Sequence, residues 1–257
     1  MNESFEKAFS LEGQRAVITG GGSGLGFAMS KCMIAAGADV VVIGASPEEK
    51  LAEACALLGP KASYYRFDIT DTDRTQELVD KIIREKGDVS ILCNNAGNHC
   101  KKPIETMTVE DFTRVLNVHV VASFAMTKAF VPHMKKKHKG SILFTSSMTG
   151  FIGQPYVTGY SAAKSALLGM VRTLATEISA EGIRVNAVAP GWIDTPMLKK
   201  AIQGDEERKN KILGRTPMKK FGTAEDIGWA AVFLSSDAAK FINGTALVVD
   251  GGALIGF

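Results

Sequence analysis

The sequence lacks a concentrated charge of either sign. Thirty Lys and Arg stand against 27 Asp and Glu, for a formal net charge of +3, too thin a balance for the basic face that a nucleic-acid partner requires. The densest basic run, MKKKHK at 134–139, precedes Gly140 and reads as a solvated helix end, where cations are favoured. Cysteine is equally scarce. Cys32, Cys55, Cys93 and Cys100 have neither metal-ligand nor C-x-x-C spacing, so no metal site is expected and a reducing cytoplasm is the expected location. The opening MNESFEKAFSLEG has no signal-peptide core. No apolar run approaches the roughly 20 residues that span a bilayer, so no membrane partner is expected. Repeats, low-complexity tracts and Pro/Gly/Ser-rich linkers are missing too, which leaves nothing to divide the chain.

What the sequence does have is apolar residues, 46% of 257, enough for one substantial core in a single domain spanning 1–257. Short β-branched runs recur: RAVIT at Arg15, DVVVIG at Asp39, SYYRF at Ser63, VSILC at Val89, GSILFT at Gly140, IRVNAVA at Ile183 and ALVVDG at Ala246. Each reads as a strand. Between them, 25–36, 48–58, 72–86, 109–136 and 156–180 have helical apolar spacing. Near-continuous apolar strands joined by helical crossovers predict an α/β fold, a doubly wound parallel sheet with helices on both faces. Ligands bind such sheets beyond the C-terminal strand ends. The charged, weakly patterned stretch 195–218 reads as a short helical flap over that site.

One stretch stands apart. ITGGGSGLGFAM at 18–29 sets glycines between a strand run and a helix, a cluster that ordered structure tolerates only at sharp bends or close approaches. Strand, glycine turn and helix N-terminus together form the context in which backbone amides bind phosphate. The spacing, G-x-x-x-G-x-G at Gly20, Gly24 and Gly26, differs from the G-x-G-x-x-G of many dinucleotide folds. Taken alone, it also leaves open a purely structural turn.

Four further segments follow it in order: NNAG at Asn94, Ser147, YSAAK at Tyr160 and PGWIDT at Pro190. With TGGGSGLG at Thr19 they resemble the short-chain dehydrogenase/reductase family over nearly the full chain. The resemblance implies a seven-stranded Rossmann-type sheet binding a nicotinamide dinucleotide. Gly20, Ser23, Gly24, Leu25 and Gly26 would then meet the pyrophosphate side, Asp68 and Ile69 the adenine, and Asn95, Ala96 and Gly97 the adenosine side. Ile193 and Thr195 match positions that hold the nicotinamide carboxamide and the phosphates.

Alcohol and ketone interconversion moves a hydride at carbon and a proton at oxygen, and the protein must manage the proton. Tyrosine near pKa 10 is a poor base unless a cation favours its phenolate. Lys164, one helical turn after Tyr160, can supply that charge. By resemblance, Tyr160 is the acid/base, Lys164 lowers its pKa and contacts the nicotinamide ribose, and Ser147 polarises the substrate oxygen. Asn117 would keep a water in the proton relay.

NAD-preferring relatives of this kind place an acidic residue after the second strand. Here Gly44, Ala45 and Ser46 stand there, which leans towards NADP(H) over NAD(H), with Ser46 as a phosphate partner and Lys50 as a weaker one. The arginine that many NADP-preferring members carry is also absent, with Ala45 and Ser23 in its places. The C-terminal tail resembles members acting on sugars and sugar acids, and equally 3-oxoacyl carrier-protein reductases. His99, Cys100, Met148, Gln154, Tyr156 and Trp192 match cleft positions, and Lys101 with Lys102 could attract an anionic substrate. The expected function is oxidoreduction of a small carbonyl or secondary alcohol on a sugar, sugar acid or polyol. The alternatives are an acyl-carrier-protein substrate, or a dinucleotide-sensing protein without catalysis. Family members usually assemble as homotetramers through the long helices and the last strand.

Overall fold

Seven strands pair, all in parallel, in the order β3-β2-β1-β4-β5-β6-β7 of one sheet. They are β1 (Arg15–Thr19), β2 (Asp39–Gly44), β3 (Ala62–Arg66), β4 (Ile91–Asn94), β5 (Gly140–Thr145), β6 (Ile183–Pro190) and β7 (Ala246–Val249). The structure is a computed structural model that describes residues 3–195, 198–199 and 202–256. Residues 196, 197, 200 and 201 of the expected flap lie outside the described residues.

Strand residues alternate between two cores because successive side chains leave opposite faces of a sheet. Val17, Val41, Ile43, Leu92, Ile142 and Phe144 join one apolar cluster. Their neighbours Ile18, Val40, Val42, Ile91, Cys93 and Leu143 join the other. The first cluster is covered by α4 (Thr75–Lys86), α6 (Ala122–Lys137) and α7 (Thr158–Ile178), the second chiefly by α2 (Gly24–Ala35), α3 (Glu48–Leu58) and α9 (Ala224–Ser235). Each fully buried Leu, Ile or Phe contributes roughly 1.5–3 kcal/mol by leaving water. α1 (Glu3–Phe9) and α8 (Glu206–Arg215) lie outside this layering.

The expected helix over 109–136 is interrupted. α5 (Val109–Leu116) opens on a capping box, in which Thr108 and Asp111 satisfy each other's backbone amides, and runs into a π-helical turn at Asn117–Val121 before α6. Its composition and length would suit a membrane span, yet Met126, Phe130 and Met134 are fully buried in the core. The expected start of the next helix at 156 moves to Thr158, because Tyr156 takes a left-handed φ of 70°. β4 begins at Ile91 rather than Val89.

Chain order places the site. After β1 the chain builds β2 and β3 on one side, then returns to β4 on the other. The crevice at that switch lies over the ends of β1 and β4.

Candidate active site

The turn after β1 is built for close approach. Gly20 and Gly24 have φ of 67° and 51°, values that side-chain-bearing residues rarely adopt. A Cβ on Gly26 would fall 2.2 Å from the Gly20 carbonyl oxygen, so no side chain fits there. Ser30 Oγ donates to the Gly21 and Gly26 carbonyls, and the Gly20 amide donates to Ile43 O at 2.7 Å. Ser23 precedes α2 without a side-chain cap, and the first turn of α2 holds no acidic residue. Among the described residues, no side chain caps its leading amides and no carboxylate sits at its positive dipole end, a fit for a pyrophosphate.

The NNAG segment is fastened to the same turn. Thr19 Oγ1 accepts from the amides of Asn95 and Ala96, both at 3.0 Å, and Asn95 Nδ2 donates to Thr19 O. Thr145 Oγ1, at the end of β5, donates to Asn95 Oδ1 at 3.3 Å. Asp68 is exposed past β3, its Oδ1 taken by Thr70, while Ile69 beside it is buried. Ala45 and Ser46 are exposed past the end of β2.

Ser147, Tyr160 and Lys164 meet beyond β5. Ser146 turns away, donating to the Lys164 carbonyl inside α7, whereas Ser147 Oγ accepts from the Thr149 amide and stands close enough to Tyr160 to favour its phenolate. The Lys164 side chain is buried, with Nζ donating to Thr145 O at 2.5 Å and standing 5.2 Å from the Tyr160 ring centroid. Burial pulls the lysine pKa down to about 7 and pushes the tyrosine pKa up, against the Ser147 bond that lowers it. The ammonium lies over the ring, and desolvation is the largest influence on the tyrosine. His99 stacks on the Tyr160 ring at 4.8 Å between centroids.

A cavity of about 650 Å³ opens in front of these groups, walled by Ser147, Tyr160, His99, Gln154, Trp192 and Ile193 among others, with Leu25 and Thr195 at its glycine-turn and flap sides. Among the described residues, no group of three or more His, Cys, Asp or Glu stands where it could hold a metal.

A family model described as enoyl-(acyl carrier protein) reductase matches residues 20–253. A 2-dehydro-3-deoxy-D-gluconate 5-dehydrogenase of Bacillus subtilis is 38% identical over 249 residues, 96% of this chain and 97% of its own. The 3-oxoacyl-[acyl-carrier-protein] reductase FabG of Thermotoga maritima is 36% identical over 247 residues, 95% and 99% of the two chains. A crystal structure of a gluconate 5-dehydrogenase from Burkholderia cenocepacia in complex with NADP and tartrate superposes with a TM-score of 0.92 at 29% identity, covering 97% of this chain and 98% of that one. The chain belongs to the short-chain dehydrogenase/reductase family. It is an NAD(P)-dependent oxidoreductase that interconverts a secondary alcohol and a ketone.

In this short-chain dehydrogenase/reductase, two expected residues fall elsewhere. Asn117, the expected holder of a relay water, is exposed and lines a separate pocket with Thr70, Glu110 and Arg114. The π-helical turn that begins at Asn117 sends His119 inward instead. Its ring is buried, meets Tyr160 edge-on at 5.4 Å and lies 2.9 Å from the Asn98 carbonyl through Nε2. Desolvation and the nearby Lys164 hold its pKa down at about 3, so it is neutral at ordinary pH. The signal for it was a histidine in an otherwise apolar helical run. Lys102 also leaves the pair expected of it. Its ammonium is bound to Asp111, whose carboxyl it holds down at about 2, while Lys101 alone reaches the cavity.

Proposed function

We propose that this protein is an NADP(H)-preferring dehydrogenase/reductase of sugar acids or related polyols, with Tyr160 as its acid/base. The observation that carries the reading is the Ser147–Tyr160 pair, opening on a cavity whose wall has Lys101 and Arg208 and, among the described residues, no carboxylate. The names of the Bacillus and Burkholderia relatives support the sugar-acid substrate, and the NADP in the Burkholderia structure supports the cofactor. Gly20, Gly24 and Gly26 would hold the pyrophosphate, with Asp68 and Ile69 at the adenine and Ile193 and Thr195 at the nicotinamide. When bound, the nicotinamide supplies or accepts the hydride at the reacting carbon.

The chain's own groups handle the oxygen. Ser147 donates to the substrate carbonyl, and Tyr160, protonated at neutral pH as a tyrosine ordinarily is, gives its proton to the developing alkoxide. Lys164 places a charge beneath the ring, and His99 restricts the ring by stacking. In oxidation the same tyrosine must first lose its proton.

The missing acidic residue after β2 leaves room for a 2′-phosphate at Ala45 and Ser46. A cation is close by. Arg66 pairs in register with Gly44, and by the alternation of β3 it shares a face with Tyr64, which hydrogen-bonds Glu48 at the start of α3. α8, with Ile212 buried beneath it, serves as the substrate flap within 195–218. Exposed Val109, Val121 and Phe124 along α5 and α6 support a homotetramer built on the long helices, in the cytoplasm.

The test is NADPH and NADH oxidation across keto sugars, keto-gluconates, diketones and acetoacetyl thioester, with Tyr160→Phe as control. Tyrosine-dependent turnover of a keto-gluconate, lost by about 10²–10⁴-fold in the variant with NADPH binding kept, is the expected result. Turnover confined to the thioester would replace the reading with that of a 3-oxoacyl reductase. NADPH binding without turnover of anything would point to a dinucleotide sensor.

A further inference from the structure

The reaction cavity does not end at Gln154 and Trp192. A second chamber of about 360 Å³ continues from it, sharing Lys101, Met148, Gln154, Trp192 and Arg208 with the first. Its outer wall is α8. Arg208, Lys211, Ile212 and Arg215 line it, and their 3, 4 and 7 spacing puts them on one helical face. Ile212 is the buried anchor of that face. The acidic residues of the helix lie off it: neither Glu206 nor Glu207 lines the chamber, and Glu206 pairs with Lys209. The chamber thus has four cationic side chains, Lys101 from one side and three from α8, and no carboxylate among its described lining residues.

Two more features belong to the wall that carries these cations. The indole Nε1 of Trp192, in the wall common to both chambers, is buried with no hydrogen-bond partner among the described residues. An unmade bond of this kind costs a buried donor about 1–3 kcal/mol. Tyr156 holds a left-handed φ on the facing wall, where its carbonyl accepts from the Lys102 amide at 2.9 Å and its ring lies 6.0 Å from the Lys101 ammonium. Strain of this sort persists where surrounding structure fixes it and clusters at ligand clamps. Lys101 lines the chamber beside this ring, whereas Lys102 is held by Asp111.

We infer that the second chamber is a binding site for an oxyanion at the far end of the substrate, a carboxylate or phosphate, read by Lys101 and the basic face of α8. The inference deepens the proposed sugar-acid activity and rests on it for the identity of the reacting end. The first chamber takes the carbonyl and the second the charged terminus, so α8 closes over a substrate that carries its own counter-charge. Neutral ketones lack that attraction.

A direct test uses Trp192 as the reporter. The chain has two tryptophans, and the other, Trp229, is half exposed, so Trp229→Phe leaves a single fluorophore in the chamber wall. Gluconate, sorbitol 6-phosphate and sorbitol share a skeleton and differ in the terminal group. The expected result is a saturable fluorescence change with either anion and none with sorbitol. In Lys101→Ala/Lys211→Ala the apparent dissociation constant should rise about tenfold or more, and Lys211→Arg should retain binding. A response to gluconate alone assigns the site to a carboxylate, to sorbitol 6-phosphate alone to a phosphate, and either supports the site. Equal response to all three, no response to any, or no weakening in the double variant overturns it. Because this readout needs no turnover, it separates from the substrate panel: keto-gluconate reduction can fail while the anion site stands.

Discussion

Gly97→Ala isolates the contact between the NNAG loop and the buried histidine. A Cβ at position 97 would stand 2.2 Å from His119 Cε1, and ordinary contact begins at 3.4 Å, so the ring must retreat by about 1.2 Å in a close-packed interior. Two of its directions are already taken. Nε2 is tied to Asn98, and the ring edge already meets Tyr160. Displacement therefore either breaks the Asn98 bond or drives Tyr160 out of line with Ser147. A misplacement of about 1 Å at a reacting group costs on the order of 10²-fold in rate, and overpacking costs about 1–3 kcal/mol of stability, or a fall of several degrees in Tm for a chain of this size. Steady-state kinetics at saturating NADPH and ketone should show kcat lowered about 100-fold with the KM for NADPH little changed. Removing the obstructing ring should reverse much of this: Gly97→Ala/His119→Ala should recover kcat at least about tenfold over Gly97→Ala, a coupling of about 1.4 kcal/mol. A Gly97→Ala enzyme within about threefold of wild type, or a double variant no better than the single one, would refute the argument that the added Cβ acts on Tyr160 through the His119 ring.

Ser46→Asp places a carboxylate where the second strand ends without one, so it should repel a 2′-phosphate and accept from ribose hydroxyls. The kcat/KM ratio of NADPH to NADH should fall by about 10–100-fold, and an unchanged ratio would remove position 46 from cofactor selection. Lys164, whose pKa burial lowers to about 7, is charged below that pH and loses its charge above it. If the charged form receives the cofactor, kcat/KM for NADPH should decline as pH rises through about 7 and the decline should vanish in Lys164→Met; a flat wild-type profile from pH 6 to 9 contradicts this.

The sheet was legible because its signals are local and repeated. Val40, Val41, Val42 and Ile43 are buried from both sides, and a strand covered on both faces must read as a continuous apolar run. The glycine turn was legible for a steric reason, since only glycine fits where a Cβ would meet the Gly20 carbonyl. Boundaries were less so. Nothing in the spacing of 109–136 marks the π-helical turn, which is a one-residue change of phase, and nothing in QPYVTGY announces that Tyr156 is left-handed and that the helix must wait for Thr158.

Change of phase also decides which side chains face the site, and that is where reading by spacing fails. Asn117 and His119 are two residues apart, about 200° around a regular helix, so one faces out whenever the other faces in. The π-helical turn settles the choice in favour of histidine. The neighbouring lysines separate for a different reason. Asp111 is fixed by its capping-box duty at the start of α5 and accepts from Lys102, so that charge is consumed by the scaffold. Lys101 has no carboxylate beside it in either chamber's described lining, which is why the inferred oxyanion site is assigned to it. A pair that looks equivalent in sequence thus divides into a strut and a recognition group, and the partner of the recognition group lies over 100 residues away on α8. Long-range pairing of that kind is written in the fold's topology rather than in any local run of residues.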